Sequence, residues 1–519
     1  MTKTGLLICS NPFRLLRIFP QIQCHVQNTL YVHFCPLPVL DKKAVRHRLT
    51  IIDAYKNLNI INVDVRILLC GLKGTLGSQI ATKRPVDVIF YDDHIKSEEL
   101  DSVVSSLSNK SPDFKTVFVQ PNEDSDSSID MKENTQYNKV ESKLFENVVL
   151  GGTFDRLHNG HKILLSTAAL KCTKKLTVGV TDIIMLKSKK LWEIIEPCST
   201  RISNVEGFLK DIDPTLEYDV LPIYDIYGPT IHDPAFEMII LSEETMKGGE
   251  LINEKRLNAG LQPLEILPLP LLEEKKSTVD CCQEEENKIS SSNYRMRLLG
   301  TVLKSPQPNT NIPATPYVIG LTGGIASGKS SISNYLKELG AYVINADTLA
   351  HGLYDINQPA YQPIIDTFGS AILNVNNEVD RKKLGAIVFT SKDKLDQLNQ
   401  IMWPLILQKI KILIESVKDH NIVVLEAAVL LTANWQVHCH EIWVSIIPEV
   451  EAIKRLQERN HLSEIDSRNR INSQPLNSEY VKNANVLFST LWSYDCTRIQ
   501  IRRAWNNLLI RVSKIHRFQ

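Results

Sequence analysis

Short apolar runs alternate along this chain with longer amphipathic stretches. VRILLCGL, which ends at Leu72, and VDVIFYD (86–92) read as buried strands because most of their positions are apolar. Two further runs, NVVL (147–150) and YVIGL (317–321), pass into glycine turns that are followed by amphipathic helices. Repeated strand, turn and helix units predict an α/β protein.

Polar segments divide the chain. Residues 121–143 lack aliphatic periodicity, which indicates a linker, and the proline-rich residues 304–316 are typical of a semi-rigid tether. The polar stretch 273–288 interrupts a region whose flanks carry motif residues, so we interpret it as a loop within a domain. We therefore predict an N-terminal α/β region at 1–120, a linker at 121–143, a domain at 144–303, a linker at 304–316 and a domain at 317–515.

Composition narrows the choice of partners. The chain has 519 residues, and its 59 Lys and Arg residues balance 59 Asp and Glu residues. Without a global basic field we expect no nucleic-acid partner, and small phosphorylated ligands held by local charge fit better. The ten cysteines are scattered without CxxC pairs or zinc spacing. This pattern indicates reduced thiols in an intracellular compartment.

The start of the chain allows two interpretations. The first acidic residue is Asp41, while Arg14 and Arg17 are interleaved with Leu, Ile and Phe. Such a leader is typical of mitochondrial targeting or of peripheral membrane association, and it predicts a cytoplasmic and mitochondrial protein whose residues 1–120 have a targeting or regulatory role. The other interpretation is that TGLLICS and TLYVHFCPL are strands of a globular domain. No apolar run approaches the about 20 residues that a spanning helix needs.

The string GGTFDRLHNGH (151–161) places glycines at the end of a strand and two histidines at the start of a helix. Glycine lets a phosphate approach the backbone without meeting a Cβ atom, and a helix N-terminus attracts phosphate. His158 and His161 lie three residues apart on one side of the helix, which suits two imidazoles that grip one phosphate chain. A His pair at this spacing alone is more often structural, but the complete string GxFDxxHxGH is far more specific.

This string resembles the HxGH nucleotidylyltransferase superfamily, whose members transfer AMP or CMP from a nucleoside triphosphate. The resemblance implies a Rossmann-like α/β domain with His158 and His161 on the ATP phosphates. The segments 188–209 and 289–300 resemble later motifs of phosphopantetheine adenylyltransferase. On that match Lys189 reaches the transferred phosphate, and Arg256 is a candidate for the substrate-binding arginine. The ATP-binding residues so implied are Gly151, Gly152, Thr153, Phe154, Gly160, Ser290, Ser291, Ser292 and Arg295. Without the preceding histidine motif, a serine run before an arginine is more often a loop or a helix cap.

The string GLTGGIASGKSS (320–331) satisfies the P-loop pattern GxxxxGK[ST] between a strand and an amphipathic helix. In this pattern backbone N–H groups wrap the nucleotide phosphates, Lys329 lies on the β and γ oxygens, and the Ser330 hydroxyl holds the Mg²⁺ of Mg-ATP. The ATP-binding residues so predicted are Gly323, Gly324, Ile325, Ala326, Ser327, Gly328, Lys329, Ser330 and Ser331. Asp347 ends the next strand run and could accept a proton from a sugar hydroxyl, or it could simply cap the following helix.

Several strings of the last 200 residues together resemble dephospho-CoA kinase and imply a P-loop kinase domain: GLTGGIASGKSS, VINADTLAH (343–351), DRKKLGAIVF (380–389), VVLEAAVLL (423–431) and the basic segment 454–474. The resemblance implies that Asp347 faces the ribose 3′-hydroxyl of the acceptor. It also implies a lid whose Arg455, Arg459 and Arg470 meet the transferring phosphate, although arginines on a charged helix are often merely solvated. Ala326 replaces a usual glycine of the loop. Glu426 stands where relatives commonly have Asp, so the sequence does not identify a second metal-positioning carboxylate.

The order of the two modules resembles the bifunctional coenzyme A synthases of animals. It implies adenylyl transfer from ATP to 4′-phosphopantetheine, followed by phosphorylation of dephospho-CoA by a second ATP. The alternative is a cytidylyltransferase fused to another small-molecule P-loop kinase, because GxFDxxHxGH is shared, although an RTxGIST-like closing run is absent. A third interpretation is a nucleotide-binding scaffold with decayed sites, and the intact Gly, Lys, Ser and His positions of both motifs argue against it.

Overall fold

The computed structural model describes residues 2–10, 15–22, 25–34, 51–56, 63–73, 79–120, 143–274, 284–388, 391–417 and 419–515. The chain divides into two compact units, residues 1–276 with 286–294 and residues 277–285 with 295–519. The first unit contains two five-stranded parallel sheets and the second contains one. We call residues 2–120 the N-terminal domain, residues 143–274 with 286–294 the middle domain, and the second unit the C-terminal domain.

The N-terminal domain is a parallel sheet in the order β3-β2-β1-β4-β5. Its strands are β1 (Thr2–Cys9), β2 (Val26–Phe34), β3 (Asp64–Leu68), β4 (Val86–Tyr91) and β5 (Lys110–Phe118). Its helices are α1 (Leu15–Ile22), α2 (Cys70–Lys73) and α3 (Ser97–Ser106), and residues 51–56 are also helical. In the middle strand β1, Leu6, Leu7 and Ile8 are fully buried, as expected for a strand that is covered on both faces.

Two strands of this sheet lie within the acid-free start of the chain. TGLLIC lies in β1, TLYVHF lies in β2, and the apolar side chains Leu15, Ile18 and Phe19 of α1 are buried. Of the two interpretations of this segment, the structure agrees with the one in which TGLLICS and TLYVHFCPL contribute strands to a globular domain. No helix in the described ranges is both long and apolar enough to cross a bilayer.

The N-terminal and middle domains share one apolar core. Phe34 and Ile67 from the first domain and Val178 and Leu209 from the second all belong to it and are fully buried. Each domain thus covers apolar side chains of the other, and removing either would expose part of the core to water. Residues 1–120 are consequently an integral part of this unit.

The middle domain has the predicted Rossmann-like fold, with strand order β10-β9-β6-β7-β8. Its strands are β6 (Phe145–Gly152), β7 (Cys172–Thr181), β8 (Glu217–Ile223), β9 (Met238–Ser242) and β10 (Glu265–Leu269). Its helices are α4 (Asn159–Lys171), α5 (Cys198–Ile212) and α6 (Met246–Asn258), and α7 (Ser291–Leu298) begins in this domain; 3₁₀ turns occupy Ile183–Met185, Trp192–Ile194, Gly228–Ile231 and Glu243–Thr245. β6 is the central strand, so its carboxyl end lies where chain connections leave to opposite sides, the usual ligand position in such sheets.

The C-terminal domain has strand order β12-β13-β11-β14-β15. Its strands are β11 (Tyr317–Gly323), β12 (Tyr342–Asn345), β13 (Ile422–Glu426), β14 (Glu441–Ile446) and β15 (Val486–Ser489). Its helices are α8 (Lys329–Glu338), α9 (Ala346–Gly352), α10 (Tyr361–Phe368), α11 (Arg381–Val388), α12 (Lys392–Ser416), α13 (Glu449–Asn460), α14 (Glu464–Asn472), α15 (Asn477–Asn483) and α16 (Tyr494–Ile515), with 3₁₀ turns at Ser370–Ile372 and Trp435–His438. The predicted P-loop kinase architecture is confirmed, and the glycine loop again follows the central strand.

The junction before this domain differs from the sequence prediction. Residues 295–303, which the prediction includes in the middle domain, lie in the C-terminal domain, where the Gly300 N–H donates to the carbonyl of Leu487 at 2.9 Å. The proline-rich residues 304–316 are held there too, because the Asn309 amide donates to two backbone carbonyls of the same domain. Side-chain hydrogen bonds therefore restrain the segment that composition alone presents as a tether.

One cysteine departs from the expected reduced state. Cys496, in the first turn of α16, is disulfide-bonded. Cys172 and Cys439 remain buried thiols, and burial raises the pKa of Cys439 to about 12. The expectation of reduced thiols is therefore wrong at Cys496.

Candidate active sites

Two histidines open the helix that follows the central strand of the middle domain. α4 begins at Asn159, with His158 as its N-cap. The backbone N–H of His161 donates to Nδ1 of His158 across 3.4 Å, and the two imidazole rings stack with centroids 3.7 Å apart. Because Nδ1 accepts, the ring proton of His158 lies on Nε2. Five of the predicted ATP-binding residues lie along the strand end, the loop and this first turn: Gly151, Gly152, Thr153, Phe154 and Gly160.

His161 is prepared for a ligand. Its ring lies 5.2 Å from that of Phe154, centroid to centroid. Burial lowers the pKa of His161 to about 4, with Asp155 opposing the shift and Lys189 adding to it. Its Nδ1 atom is buried without a hydrogen-bond partner among the described residues, a costly state for a polar atom. Lys189 itself is solvent-exposed, so a cation and a neutral imidazole face the same region.

Buried charges fix the loop between β6 and α4. Asp155 is fully buried and accepts hydrogen bonds from the N–H of Glu196 at 3.0 Å and from the guanidinium of Arg156 at 2.9 Å. Arg156 adopts a left-handed backbone conformation with φ 49°, which needs such support. Arg201 in α5 is buried and donates to the carbonyl oxygen of Thr153 at 2.6 Å. The sequence pattern does not single out Arg201, whose one signal is its place within the segment 188–209.

The serine run at the start of α7 combines a cap with a site contact. Ser290 Oγ accepts a hydrogen bond from a backbone N–H of the first turn at 3.2 Å. Ser291 Oγ donates to the carbonyl oxygen of Asp155 at 3.1 Å and lies 3.4 Å from Nε2 of His158. Ser292 follows it, and Arg295 lies one turn further along the helix with its side chain buried. The structure thus brings Ser291 to the histidines.

Arg256 has a structural role. Its side chain is fully buried, and its guanidinium donates to four backbone carbonyls, including those of Gln262 at 2.7 Å and Asp233 at 2.9 Å. These contacts engage the donors that a substrate anion would need. The assignment of Arg256 as a candidate for substrate binding is wrong.

The glycine loop of the C-terminal domain requires unusual backbone angles. Gly323 has φ 144°, and a Cβ atom there would lie 2.0 Å from the carbonyl oxygen of Ser445. Gly328 has φ 84° and caps α8. Ala326 also has a positive φ, 59°, which costs a residue with a Cβ atom roughly 1–2 kcal/mol. The nine residues predicted to bind ATP form this loop and the first turn of α8: Gly323, Gly324, Ile325, Ala326, Ser327, Gly328, Lys329, Ser330 and Ser331.

Lys329 lies over the loop with two carboxylates nearby. Its Nζ donates to the carbonyl oxygens of Gly323 at 3.0 Å and Gly324 at 2.9 Å. Burial lowers the pKa of Lys329 to about 8, although Asp347 and Glu426 attract its charge. The ammonium is therefore held where P-loop proteins bind the β and γ oxygens.

Glu426 completes this charged group. It ends β13, is buried, and accepts hydrogen bonds from Ser330 Oγ at 2.8 Å, Ser333 Oγ at 2.7 Å and Asn345 Nδ2 at 3.0 Å. A hydroxyl beside a carboxylate offers the oxygen ligands that Mg²⁺ prefers, so Ser330 and Glu426 fit the Mg²⁺ that accompanies ATP. The sequence predicts only Ser330, because Glu replaces the expected Asp, but the longer side chain still reaches the hydroxyl.

Asp347 does not cap a helix. The cap of α9 is Asn345, whose Oδ1 accepts from the N–H of Thr348 at 2.9 Å. Asp347 lies in the first turn of α9, and its side chain is open to solvent. The surrounding protein atoms nevertheless raise the pKa of Asp347, and Lys329 opposes that shift. The capping interpretation of Asp347 is therefore wrong. The Asp347 carboxylate does not bond to the helix N-terminus and instead interacts electrostatically with Lys329.

The three predicted lid arginines differ in their contacts. Arg455 in α13 donates to Thr490 Oγ1 at 2.7 Å and to the carbonyl oxygen of Ala326 at 3.2 Å. It therefore ties the glycine loop to the end of β15. Arg459 and Arg470 are exposed, and the charge of Arg459 lowers the pKa of Lys329. Arg459 is thus near the loop.

Gln474, just beyond α14, also reaches the glycine loop. Its Oε1 accepts from the N–H of Ile325 at 2.7 Å. Loop N–H groups of this kind bind phosphate in P-loop proteins, so Gln474 holds a position that a phosphate oxygen can take. In the sequence it is the last residue of the basic segment 454–474, and nothing in that pattern distinguishes it.

Comparisons with known proteins find relatives of both the C-terminal and the middle domain. Residues 317–490 match the family model described as dephospho-CoA kinase, and residues 149–297 match the one described as cytidylyltransferase-like. The dephospho-CoA kinase of Carboxydothermus hydrogenoformans is 43% identical over 186 residues, which cover 36% of this chain and 90% of that protein. The dephospho-CoA kinase of Dehalococcoides mccartyi is 37% identical over 174 residues, or 33% of this chain and 87% of that protein.

A relative of the middle domain is the phosphopantetheine adenylyltransferase of Saccharomyces cerevisiae. It is 36% identical over 174 residues, which cover 34% of this chain and 54% of that protein. The chain therefore spans about half the length of this relative. Through its C-terminal domain, the chain belongs to the dephospho-CoA kinase family, and it also carries a cytidylyltransferase-like domain.

Proposed function

We propose that this chain catalyses two successive transfers: adenylyl transfer from ATP to 4′-phosphopantetheine, and phosphorylation of the ribose 3′-hydroxyl of the resulting dephospho-CoA. The observation that carries the proposal is the presence of two glycine-containing loops with phosphate-binding motifs, each at the carboxyl end of the central strand of its own sheet. The relatives of the two domains are named for these two activities. The product of the first reaction is the acceptor of the second.

The middle domain carries out the adenylyl transfer. A phosphate oxygen of 4′-phosphopantetheine attacks the α-phosphorus of ATP, and the bond to the bridging oxygen breaks to release pyrophosphate. The reaction needs no protein nucleophile, because positioned donors and cations stabilise the phosphoryl centre. The imidazoles of His158 and His161 and the exposed ammonium of Lys189 serve as these donors, and a bound phosphate oxygen takes the place of Ser291 Oγ at Nε2–H of His158. The N-terminus of α4 adds its backbone N–H groups.

The C-terminal domain carries out the phosphorylation. The N–H groups of its loop and Lys329 bind the β- and γ-phosphates. Asp347 accepts the proton of the 3′-hydroxyl while that oxygen attacks the γ-phosphorus, and ADP leaves. Arg459 and Arg470, exposed on α13 and α14, supply cations to the transferring phosphate. Mg²⁺ held by Ser330 and Glu426 would neutralise phosphate charge.

Product analysis tests the proposal. Purified protein given 4′-phosphopantetheine and Mg-ATP should form dephospho-CoA and pyrophosphate, then CoA and ADP. His161→Ala should block only the first reaction, and Lys329→Ala should stop the sequence at dephospho-CoA, because each change removes a phosphate ligand of one site. CTP in place of ATP distinguishes a cytidylyltransferase. Folded protein that forms neither dephospho-CoA nor CoA would contradict the proposal.

A further inference from the structure

Helix α4 binds the N-terminal domain through residues of the histidine motif itself. Asn159 Nδ2 donates to the carbonyl oxygen of Tyr55 at 3.0 Å. Lys162 Nζ donates to Asp64 Oδ1 at 2.7 Å and to the carbonyl oxygen of Val65 at 2.9 Å. Asn159 follows His158 in the chain and Lys162 follows His161. Each imidazole that faces the proposed ATP site is therefore next to a residue held by the N-terminal domain.

The contact at Lys162 is an ion pair in which the lysine is buried and the Asp64 carboxylate is partly exposed. Lys162 is only 5% exposed, and a lone ammonium in that position would be strongly unfavourable. Burial alone would raise the pKa of Asp64, but Lys162 and Arg66 outweigh it and hold that pKa below its ordinary value. Asp64 is thus a carboxylate with a fixed partner. A pair of this kind sets the position of a side chain along a helix, because both charges must stay together.

The same network holds the second helix beside the site. Arg66 pairs with Asp64 Oδ2 at 2.8 Å and with Asp211 Oδ2 at 2.7 Å. Asp211 is buried in the last turn of α5 and also accepts from the Tyr31 hydroxyl at 2.8 Å. The first turn of α5 contains Arg201, which supports the loop before His158. Both helices that shape the histidine site are consequently anchored to the N-terminal domain.

We propose that the N-terminal domain is a positioning element of the adenylyl-transfer site, and that Asp64, acting through Lys162, sets the placement of His158 and His161. The inference rests on the adenylyl-transfer function proposed above. Asp64 touches no substrate and acts as a positioning residue. Its effect on rate follows from geometry, because donors displaced by about 1 Å from a reacting phosphate can cost up to about 10²-fold.

Asp64→Ala in the full-length protein tests this role. We expect kcat for dephospho-CoA formation to fall about 10- to 100-fold, with the KM for ATP changed by less than about 3-fold, because the histidines would still bind phosphate but in a poorer position. Phosphorylation of added dephospho-CoA should be unchanged. The imidazole NMR signals of His158 and His161 should shift, which reports the displacement independently of the reaction.

Asp213→Ala is the matched control. Asp213 is a carboxylate that pairs with Lys73 Nζ at 2.5 Å and is more deeply buried than Asp64, and it lies just beyond the end of α5 that is far from Arg201. Its loss should lower thermal stability without moving α4, so kcat below the unfolding temperature should stay near that of the wild type. Asp64→Ala with Lys162→Met adds a second test. Removing the lone ammonium should restore thermal stability, but Met cannot anchor the helix, so kcat should remain low.

The outcomes separate the two proposals. If kcat recovers with stability in the double variant, or if Asp213→Ala loses as much kcat as Asp64→Ala, the network only stabilises the fold and the positioning role is wrong. Unchanged imidazole signals in Asp64→Ala would also overturn it. A wild-type protein that forms no dephospho-CoA would instead refute the proposed function, and the imidazole signals would still decide whether Asp64 places the histidines.

Discussion

Replacing Glu426 by Gln should disable the kinase reaction while leaving its domain folded. Gln can keep the network: its oxygen can accept from Ser333 and Asn345, which both bond to Oε2, and its amide can donate to Ser330 Oγ in place of Oε1. Three charge-assisted hydrogen bonds then become neutral ones, which costs about 1–3 kcal/mol in total. The change also removes the negative charge that would attract Mg²⁺. In addition, Ser330 Oγ then accepts a hydrogen bond from the Gln amide, so its lone pair is no longer free to bind the metal. Loss of such a preorganised group lowers turnover on the order of 10²–10³-fold.

The assay is phosphorylation of added dephospho-CoA at several Mg²⁺ concentrations, with dephospho-CoA formation measured alongside. Glu441→Gln is the matched control, since Glu441 is equally buried but begins β14 at the other end of the sheet, where Arg511 pairs with it at 2.7 Å. That variant should lose thermal stability and keep its turnover below the unfolding temperature. Turnover of Glu426→Gln within about 3-fold of the wild type, or an equal loss of turnover in Glu441→Gln, would refute the role of Glu426.

Three further outcomes follow. Because burial lowers the pKa of Lys329 from 10.5 to about 8, kcat/KM for dephospho-CoA phosphorylation should fall as pH rises through about 8, whereas dephospho-CoA formation should not share this loss. Between about pH 8 and 10.5 this lysine is protonated in the unfolded chain but neutral in the folded protein. It therefore makes the free energy of unfolding rise with pH in that range. Ala326→Gly should stabilise the C-terminal domain by up to about 1 kcal/mol in a thermal scan, because glycine relieves the positive φ but costs chain entropy, and a lower unfolding temperature would contradict this. Deleting residues 1–40 removes β1 and β2 and should give insoluble protein; a soluble, active truncation that leaves the mitochondrial fraction would instead support the predicted peripheral membrane association.

The sequence predicts what is local in the chain. Both glycine loops, the two histidines and Lys329 lie within strings of about a dozen residues, and their chemistry depends on a strand that runs directly into a helix. The order of the domains and the α/β architecture follow from the same strings. The junction at 295–303 is not predicted, because its pairing with β15 joins residues nearly 200 positions apart, and composition describes only the segment itself.

Side chains that act through distant partners are the ones that sequence reasoning misses. Glu426 bonds to Ser330 across 96 residues, and Lys162 to Asp64 across 98. In the sequence Lys162 is simply a polar residue after a histidine motif, and Asp64 is an acid at the start of an apolar strand. Each acquires a meaning only because burial makes an unpaired charge unfavourable, so the fold must bring the two together. By meeting that requirement at Lys162, the N-terminal domain anchors the helix that follows His158, although the composition of its first 40 residues is typical of a leader.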